Sequence, residues 1–185
     1  MTRQFVLTAS LIVGLARVAS PQAGTAPPNA AAQCQTDRDA YQSKKFSELR
    51  SAGTRLTSEL VAPIVAEGQR MARECAGRIS LESASAAELV SLASVYLGTS
   101  DTAKAKTAAA LVLAKPGLSE PERANAMLAG EQLAIATFDP FAGINPEAER
   151  FVRDVDAMSD AVLPQKVRAH EQLLGQYGYA DIDDG

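Results

Sequence analysis

The sequence predicts an all-α fold of antiparallel helical hairpins, and three observations carry that prediction. Apolar residues recur at three- and four-residue steps along most of the chain, the period of a helix with one buried side. Entrance signals stand just ahead of these runs at Ser85, Ser119 and Asn145. The β-branched residues form no alternating runs, and aromatics make up only 5% of the chain with no Trp, so helices packed through small side chains are favoured over sheets.

The clearest unit is residues 85–116, SAAELVSLASVYLGTSDTAKAKTAAALVLAKP. Leu89, Leu92, Ala93 and Tyr96 fall on one side of a first helix, and Ala105, Ala109, Val112 and Leu113 continue the period on a second. Gly98, Thr99, Ser100 and Asp101 supply the break. Two such short helices cannot bury both faces alone, so they need neighbours stacked against them.

In order along this stretch, Leu89, Leu92-Ala93, Tyr96, Ala105 and Pro116 match the large, Leu-small, aromatic, Ala and Pro positions of a known motif. The segment is similar to a tetratricopeptide repeat, with Leu89 where that family often has Trp. The resemblance covers about one repeat and implies stacked hairpins, as a right-handed solenoid or a helical bundle. It also implies a binding surface lined by the first helix of each hairpin, with Ser91, Tyr96 and Arg123 as candidate partner-binding residues.

The chain begins with a leader. Thr2 and Arg3 precede an apolar run at residues 5–15, which has the length of a signal-peptide core and is too short for a membrane span. A Pro/Ala-rich stretch follows to Ala32, and Ala30-Ala31-Ala32 before Gln33 is the best small-residue cleavage site, so residues 1–32 are assigned to the leader and 33–185 to the helical domain. Export makes a disulfide between Cys34 and Cys75 permissible, closing a loop of about 40 residues worth about 3 to 4 kcal/mol. The alternative is a Cys75 buried as a small apolar residue on the face of Ile64, Gly68, Met71 and Ile79.

Phe46, Leu49, Gly53, Leu56 and Leu60 mark helical structure from Thr36 to Leu60, as one helix or two, and Pro63 predicts a kink or restart. A helix follows from Ile64 to Arg78. Ser85 with Glu88, and Ser119 with Glu122, have capping-box spacing, the second with Pro121 in its first turn and a helix reaching Thr137. Residues 138–145, FDPFAGIN, form the most distinctive loop, in which Phe138 and Phe141 are either a binding lip or, with Ile144, a cover over the hairpin cores. Asn145-Pro146 opens the next helix, and the last starts near Pro164 and gives way to a polar turn at Gly178.

Chemistry is sparse. With 18 Lys and Arg against 22 Asp and Glu, a net charge of -4, no electrostatic footprint for nucleic acid or anionic membrane is present. The single histidine, His170, allows neither a His-based metal cluster nor an imidazole relay, so no catalytic, metal or cofactor site is expected. Tyr41 and Lys45 have a Tyr-x-x-x-Lys spacing without the glycine-rich turn that would give it meaning, and Asp181, Asp183 and Asp184 lack the length and closing Glu of a calcium loop.

The expected function is therefore that of an exported, secreted or periplasmic interaction module that binds a protein or peptide without catalysis of its own; its oligomeric state is open. A second expectation rests on layout. Leader, early cysteine and Ala-rich hairpins resemble the N-terminal helical arm of larger exported thioredoxin-like thiol-disulfide oxidoreductases, although the Cys-x-x-Cys that would do such chemistry is not in this sequence.

Overall fold

The computed structural model describes residues 29–139 and 144–180, and every long element among them is an α-helix. In chain order these are α1 (Ala30–Ser51), α2 (Ser58–Ala76), α3 (Ala86–Gly98), α4 (Thr102–Ala114), α5 (Glu120–Ala136), α6 (Pro146–Asp156) and α7 (Leu163–Ala180), with a single 3-10 turn at Asp160–Val162 leading into α7. Consecutive helices pair as hairpins, α1 with α2, α3 with α4 and α5 with α6. The odd-numbered helices also pack side by side in sequence, and each even-numbered helix leans on the next odd one. Even helices make no direct contact with one another among the described residues.

Local chemistry explains the helix entrances. Ser85 accepts the Glu88 N–H, and the Glu88 carboxylate accepts the Ser85 N–H at 2.9 Å, so two otherwise orphaned donors are satisfied. Ser119 and Glu122 repeat the arrangement at α5, with Pro121 in the first turn where its missing N–H costs nothing. Asn145 caps α6 by accepting the Glu147 N–H at 2.8 Å. Its Nδ2 donates to the Ala134 carbonyl at 2.8 Å, which ties the start of α6 to the end of α5.

The first two helices settle what the sequence left open between one helix and two, and differ from it at Pro63. Gly53 adopts φ +71°, a conformation glycine enters without a Cβ penalty, and there the chain turns back even though the apolar frame runs through it. Pro63 does not restart a helix; it sits within α2, one turn past its entrance, where only one backbone bond is forgone. At the far end α7 continues as helix through Gly178 to Ala180 rather than turning.

Helix α1 starts ahead of residue 33, at Ala30. Asn29 caps α1 by accepting the Ala32 N–H at 2.9 Å, and its Nδ2 donates to the Ala87 carbonyl at 3.1 Å and to Ser91 Oγ at 3.0 Å. Ala31 is fully buried against the central core. A cut after Ala32 would remove this cap and the first turn of α1. The mature chain is therefore expected to retain Asn29, and intact-mass measurement of the exported protein checks this; a terminus at Gln33 would contradict it. The apolar run of the proposed signal peptide lies outside the described residues, as does the acidic end at residues 181–185.

The main core gathers Leu89, Leu92, Val95 and Val112 with a set of alanines from α2, α3, α4 and α5. Each buried Leu contributes about 2 kcal/mol, and the alanines let helix axes approach closely. A smaller core joins Leu128, Val152, Ala169 and Leu173 across α5, α6 and α7. Between the two, Gly130 admits the Phe151 ring so closely that an added Cβ would stand 2.7 Å from it.

At the other end, Cys34 of α1 and Cys75 of α2 form a disulfide, with Cα atoms 5.6 Å apart. The bridge joins the first hairpin and fits an oxidising compartment. No helix among the described residues is long and apolar enough to cross a membrane.

Tyr96 belongs to the core rather than to a surface. It is 2% exposed, and its hydroxyl donates to the Ala76 carbonyl at 3.1 Å, closing the end of α2 onto α3. Tyr96→Phe is expected to cost about 1 kcal/mol, because the Ala76 carbonyl loses its buried donor. Urea unfolding measures this, and an unchanged midpoint would show that the bond is energetically neutral.

Candidate functional site

The side-by-side odd helices leave a trough along α3, α5 and α7. One hollow is bordered by Ala86, Ala87, Val90, Glu122 and Asn125. A second continues from Val90 and Asn125 past Ser94 and Gln132 to Arg168 and Gln172. Since Val90 and Asn125 belong to both, the two form one depression whose floor is aliphatic and whose walls carry side-chain amides.

Helical spacing puts these groups in line. Asn125 and Gln132 lie seven residues apart on α5, and Arg168 and Gln172 four apart on α7, so each pair occupies one side of its helix. Gln165 Nε2 reaches Asn125 Oδ1 at 3.4 Å and sets the register of α7 against α5. Two acceptors on α7, Gln165 Oε1 and Gln172 Oε1, are shielded from solvent with no donor. Such atoms are costly to leave unpaired; of the two residues, Gln172 borders the trough.

The charges are sparse and well separated. The Ser119 hydroxyl and amide both donate to Glu122 and hold its carboxyl below the usual range, so it stays ionised at the end of the trough. No ion-pair partner stands against Arg168 among the described residues. Glu122 and Arg168 are the charged side chains among those bordering the two hollows.

No protein-family model, curated protein or solved structure matches this chain.

The residues singled out from sequence are scattered by the fold. Ser91 is half-buried beside the trough and accepts the Asn29 side chain. Arg123 is exposed, in a separate hollow of about 530 Å³ that also includes Met127, Asp154 and Met158. Glu120 borders that hollow too, but its carboxylate is already taken up by the backbone and hydroxyl of Ser159. Phe138 is half-buried at the end of α5, and Phe141 lies outside the described residues. Tyr96, as shown above, is 2% exposed, with its hydroxyl on the Ala76 carbonyl.

His170 is exposed and meets Asp156 at 2.9 Å. Lys45 pairs with Glu48 at 2.9 Å. Among the described residues no three His, Cys, Asp or Glu side chains come together as a metal-binding group.

A further hollow of about 350 Å³ opens between α4 and α6, because these helices do not touch and expose α5 between them. Its floor includes Leu133 and Phe151, and it borders none of the unpaired buried acceptors.

The residues singled out from sequence lie on α3 and α5 and in the segment after α5, and those that border the trough are mostly others. The missed signal was the spacing of polar residues flanking buried ones: Asn125 follows buried Ala124, and Gln132 follows buried Glu131.

Proposed function

We propose that this chain is an exported helical-hairpin interaction module, secreted or periplasmic, that holds an extended segment of another protein in the trough along α3, α5 and α7, without catalysis of its own. The observation that carries this reading is the continuous depression in which the side-chain amides of Asn125, Gln132 and Gln172 stand beside an aliphatic floor. An extended polypeptide presents N–H donors and C=O acceptors along its length, which side-chain amides complement. The tetratricopeptide-like order of Leu89, Leu92, Tyr96 and Ala105 supports the same use of the first helix of each hairpin.

The test is a fluorescence-anisotropy screen of short soluble peptides against the folded domain. Gln132→Ala with Arg168→Ala is expected to weaken the peptides that bind by at least ten-fold, whereas Lys106→Ala, beside the hollow between α4 and α6, leaves them unchanged. Equal binding by both variants would remove the trough from consideration.

A second reading, the N-terminal arm of a larger exported thiol-disulfide oxidoreductase, is favoured by one feature. Leu163, Val167 and Leu174 on α7 are 56%, 51% and 62% exposed, and a further helix would cover them. An antibody raised against α3 and α4 would decide it, by detecting in the source cells a species far larger than 19.4 kDa.

A further inference from the structure

The charges of the trough define what kind of segment fits it. Gln165 of α7 is level with Asn125 of α5, as their hydrogen bond shows, so the two helices run in step with an offset of 40 residues. Arg168 is then level with Leu128, six residues beyond Glu122. That is about 9 Å along the axis, with one helix spacing of about 8 to 10 Å to the side. The diagonal between the backbone positions that carry the two charges is about 13 Å, the length of about four residues of extended chain.

In an extended chain, side chains four residues apart point to the same face. We infer that the trough selects an extended peptide carrying one basic and one acidic side chain four residues apart, the basic one at Glu122 and the acidic one at Arg168. This rests on the trough being the binding site. It adds a charge code and a spacing to it.

Both ends are suited to that role by different means. Glu122 is kept ionised by its two Ser119 donors, which use part of its accepting capacity and leave its charge in place. Arg168 has no carboxylate within ion-pair distance among the described residues, so an incoming carboxylate displaces no internal partner. The side-chain amides of Asn125, Gln132 and Gln172 border the same depression and supply donors and acceptors to a main chain whatever its sequence.

The experiment uses end-blocked, fluorescently labelled peptides in which the two charged positions are Lys and Glu, Lys and Lys, or Glu and Glu, each at spacings of four and of two. Anisotropy at low ionic strength is expected to show about a five-fold preference for the Lys/Glu peptide at spacing four. Arg168→Glu, an exposed substitution verified to be folded by circular dichroism, is expected to shift the preference to Lys/Lys. Equal binding of all peptides to the native protein, or an unchanged preference in Arg168→Glu, overturns the charge code and leaves the trough standing as a general peptide site. Binding by none of them overturns both.

Discussion

Reduction of the Cys34–Cys75 bridge is expected to destabilise the domain by about 4 kcal/mol. The two cysteines are 41 residues apart in sequence, and closing a loop of that length removes about this much chain entropy from the unfolded state. For a domain of this size the loss corresponds to a fall of roughly 10 °C in the melting temperature. Cys34→Ala with Cys75→Ala is expected to match the reduced native protein and to be insensitive to dithiothreitol. A native protein whose melting point is unmoved by reductant would mean that α1 and α2 hold together without the bridge.

Glu131 is expected to dominate the pH dependence near neutrality. Its side chain is fully buried in α5, both carboxylate oxygens lack a donor, and burial pushes its pKa from an ordinary 4.5 up to about 7. Because the folded state holds the proton more tightly than the unfolded state, stability is greatest below about pH 4.5, falls as pH rises toward 7, and is level above. The total change is about 3 kcal/mol.

Other carboxyls act with the opposite sign in a lower window. Glu88 and Glu122 are held below the usual range by serine donors, and Glu67 by Arg70, so what they contribute is lost as pH falls through their folded pKa values. Glu131→Leu separates the two effects, since it removes only the first. It is expected to stabilise the domain by about 3 kcal/mol at pH 8 and by much less at pH 4, measured by urea unfolding. An equal gain at both pH values would show that the carboxyl's pKa is the same in the folded and unfolded states.

The hairpin of residues 85–116 was legible because its signals are local: a Ser-x-x-Glu entrance, a polar break and a helical period that stay within about 30 residues of one another. The entrances at Ser119 and Asn145 were readable for the same reason. The turn at Gly53 was not, because a helical frame that continues through a glycine does not reveal whether that glycine takes a positive φ. Nor was the start of α1, whose cap works by reaching across to Ala87 and Ser91 on α3.

The site was less legible than the fold. Tyr96 reads equally as a lining residue or as a core residue with a polar end, and only the position of the Ala76 carbonyl decides between them. Glu131 sits three residues after Leu128 and seven after Ala124, on a buried stripe, so its burial was available from spacing; its lack of any donor was not.

The arrangement of contacts has a mechanical outcome. The closest packing lies within each hairpin, each hairpin also leans on its neighbours, and the α1–α2 pair alone among them carries a covalent tie. Amide exchange is expected to be slowest beside the buried Leu92 and Val112 and, under oxidising conditions, slower in the tied α1–α2 pair than after reduction. The covalent clasp thus acts as a local brake on opening of the pair that carries it.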